Sequence, residues 1–178
     1  MAGQHGWTAW DFFDFHPSLN LSISFVFSHI YYCAEIYGNA SNSYLKQLQV
    51  VQNRTLRALQ YKDKYFPINK MHKSYGILKI QDIIQYKQSK IIHSLLTGAK
   101  KLPAVLKRLI VPMNNLHKHN TRKQNTIYEV KPRRPIGNRL LKCNASRDWN
   151  RLPTKVTHQP THGEFKNEFY NFKLRSYT

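Results

Sequence analysis

A chain of 178 residues suits one domain, which at that size can bury roughly 70% of its unfolded surface. Its 28 Lys and Arg against 9 Asp and Glu give a charge of +19 and a pI near 10.1, pointing to polyanionic partners: nucleic acid first, an anionic membrane surface as the rival, an undirected solvated surface as the plain alternative. Cys33 and Cys143 are too few for a disulfide framework and too far apart for a cysteine metal knuckle, so reduced thiols inside the cell are expected.

The charge is uneven along the chain. Residues 1–43 hold no Lys or Arg and three acids, Asp11, Asp14 and Glu35, whereas residues 44–178 carry a net +22. Residues 1–24 form an aromatic leader (Trp7, Trp10, Phe12, Phe13, Phe15) that Pro17 interrupts, with little helical period. The pattern from Leu21 to Tyr37 predicts one buried helix that Gly38 stops. Around it, Leu19 to Gly38 is apolar but broken by Ser22, Ser24, Ser28, His29 and Glu35, whereas a membrane span needs about 20 predominantly apolar residues. A signal peptide needs a basic start, which the first 43 residues lack. No membrane association is expected, and the chain reads as soluble and intracellular.

Ser41, Asn42 and Ser43 supply N-cap candidates for a helix over about Tyr44 to Gln60. Leu45, Leu48, Val51 or Gln52, Thr55 or Leu56, and Leu59 make its inward stripe, and Lys46, Asn53, Arg54 and Arg57 fall mainly off it. Pro67 breaks the chain before a short helix over Asn69 to Tyr75, ended by Gly76. A long helix follows over about Asp82 to Thr97, with Asp82 as N-cap, an Ile84, Ile91 and Leu95 face, and Gly98 as its stop. Pro103 opens a further short helix to Ile110.

From 112 to 160 proline recurs and basic residues are dense, which predicts loop with one short strand over Thr126 to Val130. The chain closes on an amphipathic helix over about Thr161 to Ser176. Thr161 and Glu164 make its capping box, and Phe165, Phe169 and Phe172 its apolar stripe. The expected fold is mainly α: a small helical bundle with a basic, loop-rich C-terminal half, a short strand or hairpin and a terminal amphipathic helix. Three regions follow, 1–24, 25–111 and 112–178.

Each candidate binding residue has a structural competitor. Lys131, Arg133 and Arg134, with Arg139, Lys142 and Arg147, form the densest basic run, and prolines hold it extended to track a phosphate backbone. The competing role is a solvated loop. His119, Asn120, Thr121 and Arg122 could contact phosphate, or Asn120 and Thr121 could simply shape a turn. His117 and His119 could supply half a zinc site, but neither cysteine is near in sequence, and no metal or cofactor is expected. Arg54 and Arg57 offer a cationic helix face. Trp149 could stack on a base, but packing as a large structural residue fits it better, as core packing does for Phe165, Phe169 and Phe172.

Several blocks carry a family likeness. Phe27-Ser-His-Ile-Tyr-Tyr-Cys-Ala-Glu-Ile-Tyr-Gly-Asn-Ala40 resembles a segment at the end of the thumb in LINE-type, non-LTR retrotransposon reverse transcriptases, which reads Tyr-x-His-Leu-x-Tyr-Cys-x-x-x-Trp-Gly-Asn. Leu48-Gln-Val-Val-Gln-Asn-Arg-Thr-Leu-Arg57 is similar to that family's Leu-Gln-x-x-Gln-x-Arg-x-x-Arg helix. Tyr75-Gly-Ile-Leu-Lys-Ile-Gln-Asp82, His119-Asn-Thr-Arg122 and Trp149-Asn-Arg-Leu-Pro153 follow in the family's order. The likeness covers roughly 25–178 and implies the thumb end and post-thumb region of an RNA-directed DNA polymerase.

Polymerase chemistry in that family needs paired palm aspartates that hold two metal ions. Here the nine carboxylates are never closer than three residues, and no glycine-rich phosphate loop occurs. The chain alone is therefore expected to be no enzyme, to take no small-molecule substrate, and to bind RNA or DNA non-specifically and salt-sensitively beside a palm and thumb supplied by the parent. The alternatives are a protein-interaction module, with ten aromatics in residues 7–37, or a non-functional product of a decayed element.

Overall fold

The computed structural model describes residues 23–59, 61–98, 103–116 and 126–177. A π-helical turn, Ile23–Phe27, leads into two one-turn helices, α1 (Ser28–Tyr31) and α2 (Ala34–Tyr37). The helices α3 (Asn42–Leu59), α4 (Ile68–Ser74), α5 (Ile80–Thr97) and α6 (Ala104–Leu109) follow. Two 3-10 turns, Met113–Asn115 and Pro135–Arg139, precede α7 (Leu141–Asn150), α8 (Thr154–Thr157) and α9 (His162–Arg175). The chain is the mainly helical bundle that its periodicity predicts.

α5 is the middle of the bundle. Ile80, Ile83, Ile84, Tyr86, Gln88, Ser89, Ile92, His93 and Ser94 are all buried, so the helix is enclosed on every side rather than along one stripe. It packs on α2, α3, α7 and α9. Each fully buried Ile or Phe stabilises the fold by roughly 1.5–3 kcal/mol. One core runs from Phe27 and Ile30 through Leu56 and Leu78 to Trp149, Phe165 and Phe169. Gly38 lets α2 approach α5, because a Cβ there would overlap the Ile84 side chain and the Ala34 carbonyl.

Five expectations are corrected. The helix over Leu21 to Tyr37, as far as it is described, is broken: Tyr32 is extended (ψ 125°) and Cys33 is left-handed (φ 51°). No glycine or proline marks that break. Contacts on both sides hold it, with the Tyr31 and Tyr170 hydroxyls 2.9 Å apart and the Tyr37 hydroxyl donating to the Ile30 carbonyl. Asp82 is not an N-cap. Lys79 takes that position, and the Gln49 side chain from α3 accepts the Ile80 N–H at 2.8 Å.

The strand over Thr126 to Val130 reduces to one bridge between Pro112 and Ile127. The Asn150 amide takes up both the N–H and the carbonyl of Ile127 at 2.9 and 2.8 Å, which leaves that residue nothing to offer a second strand. The region from 112 to 160 also holds more helix than expected. α7 buries Cys143, Ala145, Ser146 and Trp149, a face of mostly small residues that carries little apolar signal.

α9 follows its expected bounds closely, and its Thr161–Glu164 capping box is complete. Phe165 and Phe169 are fully buried, but Phe172 is 40% exposed, which corrects its place in the stripe. In the last turns the core-packed side of α9 passes instead to Tyr170 and Leu174.

Candidate nucleic-acid interface

The two faces of α3 divide the work between structure and surface. Inward, Gln52 Nε2 donates to the Leu78 carbonyl at 2.9 Å, and Gln49 Nε2 donates to Gln52 Oε1 and Asn53 Oδ1, each at 2.8 Å. With Gln49 also accepting from Ile80, both glutamines hold the segment that leads into α5. His72 from α4 joins the network, its Nδ1 donating to the Ile77 carbonyl at 2.8 Å and its Nε2 lying 3.2 Å from Asn53 Oδ1. Burial pushes its imidazole below the usual histidine value, the Ile77 carbonyl partly opposes that, and Lys79 adds to it.

Outward, Arg54 is exposed and Arg57 half-buried, one turn apart. After α3 the chain turns back: Tyr61 N–H donates to the Ala58 carbonyl at 3.3 Å and Lys62 N–H to the Arg57 carbonyl at 3.1 Å. That return brings Lys62 and Lys64 beside the two arginines. Val50, Asn53, Arg54, Arg57, Lys62 and Lys64 line an open groove of ≈ 460 Å³. Among the described residues, four cations and no carboxylate line it. Asp63 lies between the lysines in sequence, and its Oδ1 accepts the Lys64 backbone N–H at 2.6 Å. The Arg57 Nε is buried without a hydrogen-bond partner among the described residues. A buried cationic donor left unpaired costs stability unless an acceptor arrives, and an anionic oxygen would satisfy it.

The second basic set stands on other elements. Lys131, Arg133 and Arg134 are exposed ahead of the Pro135–Arg139 turn, and Arg139 is exposed at its end. Arg147 on α7 is half-buried and donates from Nη2 to Asn138 Oδ1 at 3.2 Å, while Asn144 donates to the Arg139 carbonyl at 3.4 Å. These bonds tie the Pro135–Arg139 turn to α7, with Arg147 partly committed to Asn138. None of these five cations, nor Arg54 or Arg57, forms an ion pair among the described residues, where the pairs are Lys155–Glu168 and Lys173–Asp82. His117, His119, Asn120, Thr121 and Arg122 lie outside the described residues.

Trp149 is 3% exposed among Phe165 and His93, a packing residue with no free face for a base. Residues of the first and last of the family-like blocks are likewise structural. Asn39 donates to the Glu35 and Ile36 carbonyls and closes α2. Leu152 is buried, and Pro153 takes the N-cap position of α8. Sequence reasoning missed Lys62 and Lys64, although the Tyr-Lys-Asp-Lys-Tyr run of residues 61–65 was there to find.

Among the described residues no three His, Cys, Asp or Glu side chains converge as metal ligands, and no helix is long and apolar enough to cross a membrane. No family model, curated protein or solved structure matches the chain.

Proposed function

We propose that this chain binds RNA or DNA through its basic surface, without base-specific readout, as the thumb-end and post-thumb region of a non-LTR retrotransposon reverse transcriptase. The ancestry rests on the five ordered sequence blocks. The binding role rests on one observation above all: Arg54, Arg57, Lys62 and Lys64 line a single groove in whose walls no carboxylate stands among the described residues. Guanidinium and ammonium groups so placed neutralise phosphates and release counterions, which gives affinity without sequence discrimination. Lys131, Arg133, Arg134 and Arg139 add a second set of exposed cations on other elements.

A fluorescence-anisotropy titration of a labelled oligonucleotide across a salt series tests the reading. Each neutralised phosphate adds roughly 0.7–0.9 to the log–log slope. Changing the four groove cations together to alanine should lower that slope by about 3, and R133A/R134A by about 1.5. A flat salt response of the unmodified chain would sink the reading.

A second reading has its own observation. Phe25, Tyr32 and Ile36 are 66%, 76% and 69% exposed on neighbouring short elements, an apolar face suited to a protein partner. It differs from the first in its site: substitutions at those three residues would then abolish partner binding and leave oligonucleotide affinity unchanged.

A further inference from the structure

We infer that the α3 groove takes single-stranded nucleic acid in preference to duplex, with Tyr61 and Tyr65 as stacking platforms for bases and the four groove cations as phosphate contacts. The inference rests on the nucleic-acid reading above and goes beyond it by naming the form of the ligand and the residues that select it.

Tyr61 is 98% exposed and Tyr65 is 86% exposed, which sets them apart from the tyrosines of this fold that are spent on packing. Tyr86 is buried, Tyr177 is 5% exposed, and Tyr31 and Tyr170 bond to each other. A bare ring contributes nothing to the core, so two of them within five residues have no folding role that burial explains.

The turn that carries them is held at both ends. Lys62 N–H is tied to the Arg57 carbonyl, Phe66 N–H donates to the Asp63 carbonyl at 3.0 Å, and the Phe66 ring packs on the core. Lys62 Nζ lies 5.5 Å above that same ring. Tyr61 itself sits at φ 49°, a left-handed conformation that residues other than glycine, asparagine and aspartate seldom take, and such outliers cluster at ligand-binding positions.

Each exposed ring is the chain neighbour of a groove cation, Tyr61 of Lys62 and Tyr65 of Lys64. Two exposed rings therefore flank the two groove lysines along residues 61–65, with Asp63 between the lysines. A single strand offers unstacked base faces at every nucleotide beside its phosphates, and aromatic side chains with a cationic track are what it binds. A duplex keeps its base faces inside the stack, so it could use the cations but not the rings.

The test uses the full chain and three probes at one salt concentration: a labelled oligothymidylate, an oligouridylate of equal length and a blunt DNA duplex. Y61A/Y65A should lose about fivefold to a hundredfold in single-strand affinity for each ring that stacks. Its duplex affinity and salt slope should stay unchanged, and Y61F/Y65F should bind as the unmodified chain does. Far-UV circular dichroism checks that the exposed substitutions leave the helices intact. Single-strand affinity that survives Y61A/Y65A overturns the inference, as does an equal loss on duplex, and in either case the nucleic-acid reading stands. If the unmodified chain binds none of the three probes, that reading falls and takes this inference with it.

Discussion

The Tyr177 hydroxyl donates to the Asp82 carboxylate across 95 residues of chain, and its oxygen also accepts the Lys79 backbone N–H at 3.0 Å. Asp82 meets Lys173 Nζ at 2.9 Å as well, with both side chains only 16% exposed. The first turn of α5 is thus tied to the end of α9. Removing one member leaves a shielded charge without its partner, so Asp82→Ala should cost about 3 kcal/mol. Tyr177→Phe should cost about 1–2 kcal/mol through two lost hydrogen bonds. Urea unfolding with an unchanged m-value measures both.

Stability should fall at both ends of the pH scale. Burial pushes Tyr31 up to about 12, only partly offset by its bond to Tyr170, and burial also raises Tyr37 to about 12. It pushes Tyr86, Tyr170 and Tyr177 up too. Between the ordinary value of 10.0 and these folded values, the folded chain keeps protons that the unfolded chain releases. Stability from Tyr31 and Tyr37 is therefore complete below pH 10.0 and lost on the way to about pH 12, and the other three tyrosines add loss in the same direction. On the acid side His72, lowered by burial, takes up its proton more readily when unfolded, so stability declines below pH 6.5. Urea midpoints across pH, with tyrosinate absorbance followed in parallel, should show both declines. His72→Gln should flatten the acid limb.

Phe165 and Phe172 separate core from surface on one helix. Phe165→Ala should cost about 3–5 kcal/mol, because it empties a site shared with Tyr86, His93 and Trp149. Phe172→Ala, at a side chain 40% exposed, should cost under about 1 kcal/mol. Equal losses in thermal unfolding would show that α9 packs by its full phenylalanine stripe instead.

Asn150 should prove irreplaceable for the segment it holds. Its amide pairs with both backbone groups of Ile127, and its Nδ2 also reaches Glu129 Oε1 at 2.9 Å. Asn150→Ala strands those groups and should cost about 2 kcal/mol. Faster proteolysis near residues 126–130, with helix content kept, is the accompanying sign.

α3 and α9 were legible in the sequence because each signals itself locally. Leu45, Gln52 and Leu56 repeat at helical spacing, and Thr161 with Glu164 states where α9 starts. α7 was illegible because its inward face is Cys143, Ala145 and Ser146, residues whose small size matters only once α5 lies against them. The break at Cys33 depends on Tyr170, far along the chain. The candidate site divides in the same way. Arg54 and Arg57 stand off the apolar stripe and could be picked from spacing. Lys62 and Lys64 join them only through the return of the chain at Tyr61, which no periodicity announces.

The enclosure of α5 sets a clock for backbone hydrogen exchange. Its amide protons are screened by α2 and α3 from earlier in the chain and by α7 and α9 from later in it. No single neighbour can peel away and admit solvent to the whole of α5. Its slowest protons should therefore exchange only through global opening and report the stability of the entire molecule. The turn at Tyr61 can meanwhile open and close many times without disturbing them.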